Sequence, residues 1–149
     1  MFAGLPGSPG SSGLTGPIPR LSGFEDTGGP FYLDPEGTIP DPIEDDMALW
    51  IATDRGLVVC LGCAHAGVVN TLEHIIRLTG TDRILAVIGG LHLMSAGQER
   101  LDRTVTALRR LAPDRLFPCH CTGDAAAAFL TEALGERVGR AAAGMTLGF

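Results

Sequence analysis

The sequence predicts an α/β fold, a mixed sheet flanked by helices, and three observations predict it. From Met47 onward, apolar runs of strand length alternate with stretches whose apolar residues recur at helical spacing. Glycine or proline stands at most of the junctions between them. The resulting order β-β-α-β-α-β-α requires strands joined through helices, which is the signature of an α/β layer.

Residues 1–16 are mainly Gly, Pro and Ser with few apolar anchors, a composition that predicts a flexible tail because it buries too little surface to offset backbone ordering. Residues 17–46 remain rich in Pro and Gly and carry most of the acidic side chains, so they read as a long acidic loop segment. Phe24, Phe31, Tyr32, Leu33 and Ile39 are placed to pin that segment onto a surface. Loops of this length are either functional or disordered. Residues 47–149 form the α/β domain proper. Within it, residues 47–53 and 57–61 read as two strands joined by the tight turn Asp54-Arg55-Gly56, hence a hairpin. Val68, Val69, Leu72, Ile75 and Ile76 then fall at helical spacing, with Gly80 placed to stop the helix. Residues 84–88 are a continuous β-branched and apolar run, as a strand buried on both faces requires. Leu101, Val105, Leu108 and Leu111 mark an amphipathic helix closed by Pro113. Residues 115–118 read as a short strand, residues 124–134 as an alanine-rich helix, and residues 145–149 as one last edge strand.

Length and charge bound the function. The 149 residues suit one ordinary domain. Charged residues make up 19% and the net charge is −6, which excludes a wholly disordered chain. That acidity is local: through Gly56 nine acidic residues face two arginines, and beyond it eight face nine. All eleven basic residues are scattered arginines, so no nucleic-acid footprint is present. Without an apolar run of about 18 residues or a secretory leader, the expectation is a soluble cytoplasmic protein with no membrane partner. With no Gly-x-Gly-x-x-Gly after a strand and no lysine at all, dinucleotide and phosphate-loop chemistry are disfavoured. The four cysteines, at 60, 63, 119 and 121, are expected as reduced thiols in a chain with a substantial apolar core.

The chemistry lies in three histidines. His65 follows the strand at 57–61, His92 the strand at 84–88 and His120 the strand at 115–118, with separations of 27 and 28 residues. Ligands of open α/β sheets bind at the carboxyl ends of the strands, so loops leaving neighbouring strands in equivalent places bring the three imidazoles to one edge. A single histidine there is as readily a structural cap; three point to a metal or catalytic edge. Imidazole suits zinc, and also iron, nickel and copper. His74 falls on the polar face of its helix and reads as structural. Cys60 reads as core, while Cys119 and Cys121, alternating around His120 in an extended strand, would point away from the face that His120 uses. A mixed Cys/His site involving Cys63 stays open. Asn70 and Thr71 near one helix start, and Thr122, Gly123 and Asp124 at another, offer N–H groups to an anion, or serve simply as caps.

The runs Gly62-Cys63-Ala64-His65-Ala66-Gly67-Val68-Val69-Asn70-Thr71, Ile88-Gly89-Gly90-Leu91-His92-Leu93 and Pro118-Cys119-His120-Cys121-Thr122-Gly123 resemble a subfamily of metallo-β-lactamase-fold hydrolases. Its members include dihydropterin–ribofuranosylaminobenzene phosphate synthase-like proteins. The likeness extends back through Gly16-Pro17-Ile18-Pro19-Arg20, Phe24-Glu25-Asp26-Thr27-Gly28-Gly29-Pro30 and the Pro40–Asp46 stretch.

The resemblance implies the C-terminal half of an αββα sandwich, a mixed sheet with flanking helices. It makes His65 and His120 metal ligands and His92 a third, at a place where many relatives carry a bridging aspartate. The implied cofactor is a divalent metal, zinc first, with manganese or iron as alternatives. Asn70, Thr122 and Gly123 become the substrate-binding candidates, for a small and phosphorylated substrate. The family's His-x-His-x-Asp-His motif is absent from these residues. The expectation is therefore a truncated hydrolase or transferase, inactive alone. The alternative is a non-catalytic module that dimerises or pairs with a separate N-terminal half.

Overall fold

The computed structural model describes residues 6–149 except Gly28. Its sheet has five strands in the order β1-β2-β3-β4-β5, where β1 is Ser12–Leu14, β2 Ala48–Thr53, β3 Gly56–Leu61, β4 Ile84–Gly90 and β5 Arg115–Cys119. The first three strands run antiparallel; β3, β4 and β5 run parallel. Helices α1 (Val68–Thr79) and α2 (Gln98–Leu111) connect the parallel strands, and α3 (Asp124–Leu134) follows β5. The sequence-predicted α/β class with a mixed sheet is what the chain adopts.

Strand alternation sets the two faces. In β2, Ala48, Trp50 and Ala52 are buried while Leu49 and Ile51 point outward. The β2–β3 hairpin closes at the Thr53–Gly56 pair. Gly56 sits at φ 135°, where a Cβ would lie 2.8 Å from the Arg83 carbonyl, so the turn demands glycine. On the inner face Leu57, Val59 and Val87 pack with Leu72, Ile75, Leu108 and Leu130 from the three helices. Burial of each such side chain contributes about 1.5–3 kcal/mol. Gly80 ends α1 in the left-handed conformation, its N–H donating to the Ile76 carbonyl.

The outer face is covered unevenly. Val58, Leu85, Ala86 and Phe117 form a second cluster against Ala141 and Leu147. Leu14, Leu49 and Ile51, at the β1–β2 end, remain 64%, 36% and 39% exposed.

Two expectations are corrected. Ser12–Leu14, inside the stretch assigned to a loose tail, forms the edge strand β1, with Leu14 opposite Leu49. Backbone pairing with β2 supplies what its side chains cannot. Residues 1–5 of that stretch lie outside the described residues. Residues 145–149 form no strand. The free side of β5 is already taken by Val138, bridged to Leu116, and by the Gly139 N–H on the Leu116 carbonyl. The segment lies instead across the outer face, with Phe149 and Phe117 ring centroids 6.3 Å apart.

The described residues of 17–46 form a strap laid against the domain. Ile18 is buried and Phe24 packs against the core. Tyr32 and Pro40 bridge across the strap's own bend, where the Asp34 carboxylate accepts the N–H groups of Thr38 and Ile39.

Candidate metal centre

The three parallel strands end side by side, and their exit loops are stitched together. The Gly90 N–H donates to the Gly62 carbonyl at 2.9 Å, and the Met94 N–H to the Cys121 carbonyl at 3.1 Å. The Leu91 N–H donates to the Thr122 hydroxyl at 3.1 Å. Each loop also holds one non-glycine residue in the left-handed region: Ala64 at φ 56°, His92 at 49° and His120 at 52°. Such positions cost of order 1–3 kcal/mol and cluster where orientation matters.

These turns arrange two groups of donors. His65 and His92 meet edge to face with ring centroids 4.5 Å apart. Phe31, from the strap, lies over both, 5.1 Å from the His65 ring and 6.0 Å from that of His92. Burial, helped by the charges of His92 and Arg20 and opposed by Asp46 and Asp45, holds the His65 imidazole below the ordinary histidine pKa. That favours the neutral ring, the form that binds metal.

His120 is grouped differently. One ligand atom from each of Cys63, His120 and Cys121 lies within 4.8 Å of the others, and His65 and His92 stand outside that trio. Bond lengths of about 2.0–2.3 Å in a tetrahedral site put ligand atoms roughly 3.5–3.8 Å apart, so small side-chain shifts close this trio on an ion. Here the expected direction of Cys121 is corrected. The alternation argument assumed extended backbone, whereas His120–Thr122 is a single 3₁₀ turn entered through a left-handed His120. The turn brings Cys121 beside His120. Burial and the neighbouring Cys63 push the Cys121 thiol up to about 11, against the pull of a hydrogen bond to the His92 backbone. Cys119 stays at the end of β5, outside the trio. Cys60 packs half-buried on the outer-face cluster.

The strap holds the first loop in place. Arg20 donates to the His65 carbonyl at 2.8 Å, and the Asp46 carboxylate accepts the Ala66 N–H at 2.7 Å. Glu25, buried, accepts the N–H groups of Val69 and Asn70 at 2.9 and 2.8 Å, filling the start of α1 with a carboxylate of the chain itself. Asn70 in turn accepts the Leu21 and Ser22 N–H groups and donates to the Ala66 carbonyl. Its side chain is thus spent on the strap. Thr122 is buried and clips two loops, while Gly123 opens onto a groove of about 1080 Å³ shared with His120 and Arg140. A second cavity, of about 440 Å³, lies between strap and β4 loop and is lined by Phe24, Phe31, His92, Arg100 and Cys121. Arg20, Glu25 and Asp46 lie in stretches that carry the resemblance, but sequence reasoning gave them no role, because their partners lie 20 to 45 residues away.

No family model matches the chain. It is 35% identical over 121 residues to a 7,8-dihydropterin-6-methyl-4-(beta-D-ribofuranosyl)-aminobenzene-5'-phosphate synthase of Methanocaldococcus jannaschii, covering 81% of this chain and 41% of that protein. An uncharacterized protein of the same archaeon is 34% identical over 85 residues, 57% of this chain and 30% of that protein. Among solved structures, a metal-dependent hydrolase of the beta-lactamase superfamily superposes with a TM-score of 0.83 at 30% identity, covering 93% of this chain and 53% of that one. The chain therefore spans about half or less of the length of these relatives. In strand topology and in sequence the chain is thus similar to part of a metal-dependent hydrolase of the beta-lactamase superfamily, and in sequence to part of a dihydropterin–ribofuranosylaminobenzene phosphate synthase.

Proposed function

We propose that these residues form the metal-binding edge of a metal-dependent hydrolase or transferase, with His65, His92 and His120 as ligands. The observation that carries it is the ring contact of His65 and His92 beside a second donor cluster, all at the ends of three successive parallel strands. A donor set of imidazoles suits zinc best, with iron next and manganese, which prefers oxygen ligands, last. A bound ion there supplies Lewis acidity and lowers the pKa of water.

The chain's own residues do the rest. Arg20 and Asp46 fix the loop that carries His65. Phe31 excludes water from one side of the histidine pair. The substrate we assign is a small phosphorylated molecule, in keeping with the phosphate in the related synthase's name. Gly123 and Arg140 lie in the groove beside His120, Arg140 offering a positive charge to phosphate. Thr122 and Asn70 contribute by holding the turn and the strap. These 149 residues contain no His-x-His-x-Asp-His run, so the activity assigned to them alone is metal binding without turnover. Reduced thiols fit the cytoplasm, and among the described residues no helix is long and apolar enough to cross a membrane.

The test is bound metal per chain in the wild type and in His65→Ala/His120→Ala. The proposal expects a clear loss in the variant; equal content would overturn it. A second reading, pairing with another copy or with a separate polypeptide, is favoured by the exposed Leu14, Leu49 and Ile51 on the outer face.

A further inference from the structure

We infer that the ion at this edge is held through sulfur: Cys63 and Cys121 join His120 as direct ligands, and the site selects a thiophilic divalent cation. This rests on the reading above that the edge binds a metal, and departs from it in the ligand set: His120 is kept, and two thiolates take the place assigned there to His65 and His92, which stand outside the trio.

Three features of the chain converge on it. The trio of ligand atoms already lies within 4.8 Å, although it comes from loops 57 residues apart in sequence. The backbone is shaped to achieve this, because the left-handed His120 and the 3₁₀ turn bring adjacent side chains toward the same loop. Space has also been left for the sulfur. A Cβ on Gly90 would lie 2.6 Å from the Cys121 Sγ, and the Gly90 N–H holds the Gly62 carbonyl, which places Cys63 next to it. The Cys121 thiol now donates to the Cys63 carbonyl at 3.4 Å, a weak contact that an ion readily replaces.

Burial fits a site open on one side. Both thiols are half-buried, whereas His120 is exposed and borders the larger groove. Three protein ligands would thus leave a fourth position facing that groove, the arrangement of an exchangeable site. Each thiol gives up its proton to solvent as its sulfur–metal bond forms, and no electron changes hands.

The test is titration of the full chain with Co²⁺ under anaerobic, reducing conditions, read by absorption. Thiolate ligation gives an intense near-ultraviolet charge-transfer band along with the visible bands of a tetrahedral ion. Cys63→Ser and Cys121→Ser are each expected to lose about half or more of that band and to weaken Zn²⁺ competition about tenfold or more. Cys60→Ser and Cys119→Ser should leave it intact. Wild-type thiol labelling gives a readout free of folding artefacts: saturating Zn²⁺ should protect two of four thiols, and a chelator should release them. Co²⁺ uptake with no charge-transfer band and no thiol protection would overturn sulfur ligation while leaving the histidine reading standing. No uptake at all would overturn both.

Discussion

Glu25 and Asn70 fasten the strap to α1 in both directions. The Glu25 carboxylate accepts the Asn70 N–H at 2.8 Å, and the Asn70 side-chain oxygen accepts the Leu21 and Ser22 N–H groups at 2.9 and 2.8 Å. The strap that places Phe31 over His65 and His92 therefore depends on a polar lock well away from those rings. Asn70→Ala would strip three hydrogen bonds from buried or half-buried partners. We expect a loss of about 1–3 kcal/mol in urea denaturation, with faster chemical modification of the histidines. A variant as stable as wild type, with its histidines equally protected, would refute the lock.

Glu25 also predicts a pH dependence. Burial raises its pKa, against its hydrogen bonds to Val69 and Asn70 and the charge of Arg100. The folded state then holds the proton more tightly than the unfolded chain does. This contribution to stability is fully present below the ordinary glutamate value and declines as pH rises through the higher folded value. Melting temperatures measured from about pH 4 to about pH 7 should show that decline in wild type and a flatter profile in Glu25→Gln. Identical slopes would contradict it.

Gly90 isolates a steric requirement. An alanine Cβ there would sit 2.6 Å from the Cys121 sulfur and 2.7 Å from the Gly62 carbonyl, with no positive φ to complicate the reading. Gly90→Ala should cost about 1–3 kcal/mol and displace Cys121, weakening Zn²⁺ uptake more than the general destabilisation explains. Unchanged stability and uptake would show that the loops yield freely.

The outer face offers a test of association. Leu49 and Ile51 project outward from β2 beside Leu14. Leu49→Lys/Ile51→Lys should leave the helical core intact and shift sedimentation toward monomer. A wild type that is monomeric at all concentrations would remove the basis for pairing through this face.

Much of the domain was legible because its signals are local. The run that ends at Gly80 and the alanine-rich helix at Asp124–Leu134 are fixed by neighbours in sequence, and the strand-end spacing of His65, His92 and His120 survives folding as three adjacent loops. What was not legible depends on distant partners or unusual torsions. Ser12–Leu14 has no strand pattern of its own and becomes one through β2. Glu25 gives no hint that it will fill a helix start 44 residues on. Cys121 was misdirected because a left-handed histidine cannot be foreseen from residue type.

That last torsion has a further consequence. His92 and His120 occupy backbone conformations in which glycine is the most comfortable residue, so each imidazole is kept at a local energetic disadvantage. Selection for heat resistance alone would drift toward glycine at both places, yielding a sturdier and chemically empty protein. Persistence of histidine there across an evolving population under thermal challenge would register a requirement for the imidazoles themselves more directly than any gain in ruggedness.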